Sequence, residues 1–185
     1  YDEKNDHEIF GTGLIKSEFP LKKKLDNSTN YLKPIIQARF SPTSGKDISS
    51  EGFRMDYGAI FSSNRIGRRD MVEKGKSLTL GIEFEKQDIS NDKILGLKVG
   101  NVIRDKKNKS LPSKSKLDQT RSDIVGNVFY KLNKNSAISY NFSYDRDLDF
   151  SNYDQLSARF GVNNFVTGFD YITENHDFGD SEVIS

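Results

Sequence analysis

The feature that most constrains this chain is a strict alternation of apolar and polar residues over stretches of about ten residues. In the clearest stretch, 77–86, large apolar residues alternate with small or charged ones: Leu78, Thr79, Leu80, Gly81, Ile82, Glu83, Phe84 and Glu85. A period of two places alternate residues on opposite faces of an extended strand. Because no sustained apolar pattern with helical spacing occurs, the sequence predicts an all-β fold.

Similar alternation predicts antiparallel hairpins along the rest of the chain. They join 77–86 to 95–103, 124–132 to 138–144, and 156–162 to 165–171. Residues 31–40 and 53–61 also have strand-like patterns, and 10–16 has a weaker one. The sequence therefore predicts about nine strands, many of about ten residues, which suits a tilted membrane-spanning strand better than the usual globular strand of about five or six.

The predicted connections alternate between long and short. Long polar stretches at 62–76 and at the lysine-rich 105–119 alternate with short turns near Asn91, at 133–135 and at 163–164. Outer-membrane barrels have short periplasmic turns and longer extracellular loops, so the two long stretches are expected outside the cell. One connection, 41–50, is long but falls on the side of the short turns. Either the strand at 53–61 is misplaced or that turn is unusual.

Composition removes several classes of protein. The chain has no cysteine, which excludes disulfide scaffolds and cysteine-ligated metal sites. Its net charge of +1 and the lack of a basic stripe argue against a nucleic-acid partner. No run approaches the roughly 18 to 20 apolar residues of a transmembrane helix. A soluble β-sandwich stays open as an alternative, but it would expose long hairpin faces of small neutral residues to water.

Residues that could carry catalysis or bind metal are scarce. There are only two histidines, His7 and His176, and no Gly-x-Ser-x-Gly elbow accompanies them. Asp145, Asp147 and Asp149 could bind calcium, but a solvated strand end is the simpler interpretation. We therefore expect no enzymatic activity, no cofactor and no metal site.

Two stretches are more specific than the alternation. The first, 30–40, reads Asn-Tyr-Leu-Lys-Pro-Ile-Ile-Gln-Ala-Arg-Phe, with Leu32 and Pro34 leading into a strand. The second, 56–70, carries six residues at characteristic spacing: Asp56, Phe61, Asn64, Arg65, Gly67 and Asp70. In order and spacing the two stretches resemble the barrel domain of the LptD family, the lipopolysaccharide-assembly proteins of the outer membrane, also called organic solvent tolerance proteins. The resemblance covers most of the chain from about Asn30 onward.

The resemblance implies a function as well as a fold. It implies part of a large outer-membrane β-barrel in a Gram-negative bacterium, and a non-enzymatic translocon that inserts lipopolysaccharide into the outer leaflet. The implied partners are lipopolysaccharide, an LptE-like lipoprotein plug, outer-membrane lipids, and an LptA-like periplasmic bridge that meets an N-terminal domain. A general porin-like barrel and a soluble sugar-binding β-sandwich stay open as alternatives.

The chain is expected to be an interior piece of such a barrel, truncated at both ends, because it begins with Tyr1 and stops just after a strand-like stretch. Residues 1–29 are expected to be a polar, weakly strand-forming segment already within the barrel domain, and 30–185 its interior hairpins.

Strand alternation also predicts which residues face the lumen. Aliphatic and aromatic residues such as Leu80 would face lipid, and the opposite face would border a hydrated lumen. The candidates for lumen-facing binding residues are Thr79, Glu83, Ser139, Asn141 and Ser143. Pro34 cannot donate a ladder hydrogen bond, so it would weaken pairing locally or mark a bulge.

Overall fold

A computed structural model describes residues 11–42, 47–50, 52, 54–67, 72–149, 151–162, 165–175 and 181–184. These residues form ten strands: β1 Gly13–Glu18, β2 Leu21–Leu25, β3 Ser28–Ser41, β4 Gly75–Gln87, β5 Lys93–Arg104, β6 Ile124–Asn133, β7 Ser136–Tyr144, β8 Ser151–Val162, β9 Phe165–Glu174 and β10 Ser181–Ile184. Single-turn 3-10 helices occur at Ala59–Phe61 and Lys114–Lys116. No helix in the described part of the chain is long and apolar enough to cross a membrane.

The strands form one antiparallel sheet in the order β1-β3-β4-β5-β6-β7-β8-β9-β10, with β2 also paired to β3. This confirms the predicted all-β antiparallel class, and the described strands form a single open sheet rather than the two packed sheets of a sandwich. The arrangement is consistent with a piece of a barrel wall.

Strands β1 and β2 act as one interrupted strand, since both pair with β3 on the same side. The break falls at residues 19–20, where the Phe19 N–H donates to the Pro34 carbonyl at 3.0 Å. Pro34 itself pairs in register with Ile82 of β4, without a bulge. Pro34 thus lies opposite the break, which contains a proline of its own, Pro20, and the predicted bulge does not occur with β4.

The prediction of a strand at 53–61 is wrong. The described residues between β3 and β4 form no strand, and Ala59–Phe61 is a 3-10 helix. The Asp56 carboxylate accepts the Ala59 N–H at 2.7 Å and stabilises that turn. Met55, Tyr57 and Ile60 are all buried, so these apolar residues pack as a loop core instead of alternating across a strand. Strand β2 was not predicted, because its three consecutive lysines hide the alternation.

This correction removes the exception in the connection pattern. The β3–β4 loop (42–74) and the β5–β6 loop (105–123) lie at the same end of the sheet as connections 145–150 and 175–180. At the opposite end, the connections of the described residues are the short turns 26–27, 88–92 and 134–135. We call these the long-loop end and the short-turn end.

The two faces of the sheet differ in the polarity of their side chains, and loops pack on only one of them. The apolar face exposes large hydrophobic side chains, including Ile36, Leu80, Ile82, Leu156, Phe160 and Phe169. The polar face carries the alternate positions, and the β3–β4 and β5–β6 loops pack on it. The buried core lies there, between loops and sheet: Ile48, Met55, Tyr57, Ile60, Ile66, Val102, Leu111, Leu117 and Val125.

Candidate functional site

The five residues predicted to face the lumen all lie on the polar face. Thr79 and Glu83 share one face of β4, and Ser139, Asn141 and Ser143 share one face of β7. The ladder joins the two sets, because Glu83 pairs with Lys98 of β5, Lys98 with Asn127 of β6, and Asn127 with Asn141. The structure thus places all five on the same face of the sheet.

Toward the short-turn end this surface is a belt of alternating charges. The Lys33 ammonium lies 2.9 Å from the Glu83 carboxylate and 3.9 Å from that of Glu18, and Lys98 lies 4.0 Å from Glu83. Half-exposed pairs of this kind contribute at most about 1 kcal/mol each. Their main effect is a hydrated face with little local net charge.

A ladder of amides crosses the middle of the polar face. Asn127 Nδ2 donates to Asn141 Oδ1 at 2.8 Å, and Asn141 Nδ2 donates to Gln155 Oε1 at 3.2 Å. The Tyr153 hydroxyl donates to the same Gln155 oxygen at 2.9 Å. With Arg54 and other neighbours these side chains line a recess of about 410 Å³. Amides and phenols supply both donors and acceptors, as sugar hydroxyls require.

The β3–β4 loop reaches the sheet where the polar face has no side chains. Gly81 and Gly100 pair across β4 and β5. A Cβ on Gly81 would lie 2.5 Å from the Phe61 ring, and a Cβ on Gly100 would lie 2.6 Å from Ile60 Cδ1. Tyr57 contacts the Phe61 ring edge-on, with centroids 5.4 Å apart. The two glycines therefore form the recess that receives the loop.

Arg65 fixes the loop to β4. Its guanidinium is buried and donates to Glu73 at 3.2 and 3.3 Å, to Ser77 Oγ at 2.9 Å and to Thr79 Oγ1 at 3.1 Å. Arg65 Nε also donates to the Ile60 carbonyl at 3.1 Å. Burial, and secondarily the charge of Arg39, lowers the pKa of Arg65 to about 9. Thr79, predicted to border the lumen, is therefore covered by the loop.

Glu73 is the centre of this cluster and was not predicted from the sequence. Arg39 Nη1 donates to the Glu73 carbonyl at 2.7 Å, and Arg104 Nη1 contacts the Glu73 carboxylate. Arg39 Nε donates to the Ser63 carbonyl at 3.2 Å, and Arg104 Nη2 donates to the Lys74 carbonyl at 2.7 Å. All three arginines and Glu73 are buried. The only sequence signal is that Arg39 and Arg104 occupy inward positions at strand ends.

The other residues of the two family-like stretches have local structural roles. Asn64 and Gly67 close a turn, because the Gly67 N–H donates to the Asn64 carbonyl at 3.2 Å and Gly67 has a φ of +70°. Leu32 and Pro34 lie on the apolar face, paired with Phe84 and Ile82. Asp70 lies outside the described residues.

Asp123 joins three strands near the long-loop end. Its Oδ2 accepts hydrogen bonds from Ser143 Oγ at 3.0 Å and from Asn152 Nδ2 at 2.7 Å. Asp123 is fully buried in the β5–β6 loop, immediately before β6, and burial raises the pKa of its carboxyl group. Ser143, predicted to border the lumen, therefore serves this junction.

The lysine-rich loop is attached to the rest of the sheet. Lys114 Nζ donates to Glu174 at 2.7 Å, and Arg54 lies 3.4 Å from the same carboxylate. The Arg54 guanidinium stacks on Tyr153, 3.4 Å from the ring centroid. Glu174 at the end of β9 thus connects both loops to the sheet. Within the described ranges, no three acidic or histidine side chains are grouped to hold a metal ion.

Comparison with known proteins agrees with the fold. The model of the family described as LPS transport system D, LptD, matches residues 3–182. No curated protein sequence matches the chain. Because the family match extends over nearly the whole chain and the structure is an open antiparallel sheet, the chain belongs to the LptD family of lipopolysaccharide transport proteins of the Gram-negative outer membrane.

Proposed function

We propose that this chain is a section of the barrel wall of an outer-membrane translocon that inserts lipopolysaccharide into the outer leaflet without covalent chemistry. The observation that carries the proposal is the difference between the faces: one exposes aliphatic and aromatic side chains, and the other is polar and partly covered by its own loops. A barrel in a membrane needs lipid outside and water inside, so this difference supports the proposal that the polar face borders the lumen.

The polar face has the chemistry that a passing sugar chain requires. The amide ladder of Asn127, Asn141 and Gln155 supplies donors and acceptors, and the Lys33–Glu83 belt stays hydrated with little net charge. Of the five predicted lumen residues, Glu83, Ser139 and Asn141 are the better candidates for contact, since Thr79 and Ser143 are buried.

The loops define the orientation in this proposal. Long loops of outer-membrane barrels lie outside the cell, so the β3–β4 and β5–β6 loops would narrow the lumen from the outer side. An LptE-like lipoprotein plug would meet the polar face. An LptA-like bridge would meet an N-terminal domain beyond residues 1–29, with 30–185 as interior hairpins. The apolar face would contact membrane lipids, and no nucleic-acid partner is proposed.

Site-specific photocrosslinking in the full-length protein tests this function. A photoreactive amino acid at Ser139 on the polar face should form adducts with lipopolysaccharide only while transport is running. The matched position Tyr140, the next residue along β7, should form adducts with membrane lipid whether or not transport is running.

Depletion of the full-length protein should also reduce newly made lipopolysaccharide at the cell surface. The proposal fails if Ser139 forms no transport-dependent adduct while depletion leaves surface lipopolysaccharide unchanged. Loss of small-solute permeability alone would instead support the porin-like alternative.

A further inference from the structure

A groove lies on the apolar face of the sheet, outside the polar site. It has a volume of about 700 Å³ and crosses β1, β3, β4 and β5 near the long-loop end. Cavities of this size bind ligands comparable to a small molecule or part of a lipid. The proposed function gives this outer surface general contact with membrane lipids and no specific binding site.

The shape of the groove follows from one small residue. Along a cross-strand row, Ile15 pairs with Ala38, Ala38 with Leu78, and Leu78 with Ile103. All four side chains point to the apolar face, and the Ala38 methyl is the shortest of them. Phe40, half exposed, stands beside this row toward the long-loop end. The result is a trough with apolar walls, open to the surroundings of the sheet.

At the long-loop end, the groove is lined by one lysine and one aspartate. Lys76 lies on the same face, directly beside Phe40 in the ladder, and is exposed. Asp105 also lines the groove, and its Oδ1 accepts the Lys76 backbone N–H at an N···O distance of 3.4 Å. Among the described residues, the Lys76 ammonium forms no ion pair. The exposed Lys106 and Lys107 follow at once in the β5–β6 loop.

We infer that this groove binds an outer-leaflet lipid with a phosphorylated headgroup, its acyl chain over Ala38 and its phosphate at Lys76. The inference rests on the proposed orientation, in which the long-loop end lies at the outer surface. The apolar trough is complementary to the acyl chain of such a lipid, and the unpaired Lys76 ammonium at its end is complementary to the phosphate. Bulk lipid contact would need neither the trough nor the charge.

The same strand provides a matched control for the charge. Lys86 lies on the same face of β4 as Lys76, at the short-turn end. If the groove binds an outer-leaflet phosphate, lipid binding should require Lys76 and should not require Lys86. Leu156 of β8 is on the same face, outside the groove, and reports ordinary lipid contact.

The test uses the full-length protein in cells, with a photoreactive amino acid at Ile15 or at Leu156 and an antibody to the lipid part of lipopolysaccharide. We expect the adduct at Ile15 to exceed that at Leu156 several-fold. Lys76→Gln should reduce the Ile15 adduct to the Leu156 level, and Lys86→Gln should leave it unchanged. Resistance of the folded barrel to unfolding in detergent without heating confirms that each variant is folded.

Equal adducts at Ile15 and Leu156, or an Ile15 adduct that Lys76→Gln leaves unchanged, would overturn this inference and leave the translocon proposal standing. Absence of lipid adducts at both positions would contradict the face assignment, and the translocon proposal would fail together with the groove.

Discussion

Gly81 and Gly100 lie directly opposite each other on β4 and β5, and their lack of side chains lets the β3–β4 loop reach the polar face. Ile60 and Phe61 occupy the space that two Cβ atoms would otherwise fill. A barrel wall thus gains a buried core on one face, although a single sheet has no second layer to pack against.

Replacing Gly100 by alanine should destabilise the barrel by about 1 to 3 kcal/mol, as expected for overpacking. The new Cβ would lie 2.7 Å from the Leu80 backbone oxygen as well as 2.6 Å from Ile60, and a backbone atom cannot move aside. Gly81→Ala should cost less, because its nearest neighbour is the far end of the Phe61 ring. For each variant, the unfolding temperature is the temperature above which the full-length barrel no longer migrates on a detergent gel as the folded protein.

Gly168→Ala is the matched control for these substitutions. Its Cβ would approach nothing closer than the Ala158 oxygen at 3.8 Å, so its unfolding temperature should stay near that of the wild type. If Gly100→Ala and Gly168→Ala lower the unfolding temperature equally, β-propensity and not contact with the loop causes the destabilisation.

Arg65→Ala should release the β3–β4 loop from the sheet. The variant loses the hydrogen bonds to Glu73, to the Ser77 and Thr79 hydroxyls and to the Ile60 carbonyl, at a cost of about 2 to 3 kcal/mol. Glu73 still contacts Arg39 and Arg104, so its carboxylate is not left without a cation. Trypsin added to the folded full-length protein should then cleave after Arg54 faster than in the wild type. Arg146→Ala, which removes an exposed ion pair with Asp147, should leave the cleavage rate unchanged.

Opposite faces should respond differently to a new charge. Leu80→Arg should cost about 2 to 4 kcal/mol if the residue lies near the bilayer midplane, because the guanidinium would enter lipid. Ser139→Arg should cost far less, since the polar face is hydrated. A folding titration of the full-length protein into lipid vesicles measures both free energies. Equal penalties would contradict the assignment of the polar face to the lumen.

The burial of Asp123 should make the free energy of unfolding depend on pH. Burial raises the pKa of this carboxyl in the folded state. As the pH falls from neutral through that raised pKa, the folded state takes up the proton before the unfolded state, so the contribution of Asp123 to the free energy of unfolding increases. Other carboxylates oppose this trend, and the informative quantity is therefore a difference between two proteins.

The comparison protein is Asp123→Asn, which cannot take up that proton. On lowering the pH from 7 to the region of the raised pKa, the wild-type unfolding temperature should rise relative to that of the variant. A constant difference between the two proteins across this range would show that Asp123 stays ionised in its junction with Ser143 and Asn152.

The strands and their faces could be predicted from the sequence because both depend on neighbouring residues. Leu78, Thr79 and Leu80 alternate, and a period of two allows only one extended arrangement with two unlike faces. The same reasoning placed Glu83 and Asn141 on one face before any strand pairing was known. The alternation also predicted the short turns near Asn91 and at 133–135.

The error at 53–61 shows the limit of this local information. Met55 and Tyr57 have strand-like spacing, yet they are buried in a loop, because Tyr57, Ile60 and Phe61 reach the recess at Gly81 and Gly100 and hold the loop on the sheet. That recess arises only when β4 and β5 pair. Similarly, Lys22, Lys23 and Lys24 form part of β2 because β3 offers its edge, despite their poor strand pattern.

The sequence by itself determined antiparallel strands with one apolar and one polar face, since alternation is a property of adjacent residues. Only the tertiary structure decided that Arg39, Arg65 and Arg104 meet Glu73 and hold a loop against the polar face. These residues come from β3, the β3–β4 loop and β5, and strand register brings them together. Burial of their charges is tolerable only in that assembled arrangement, where each is paired, so no local pattern could reveal it.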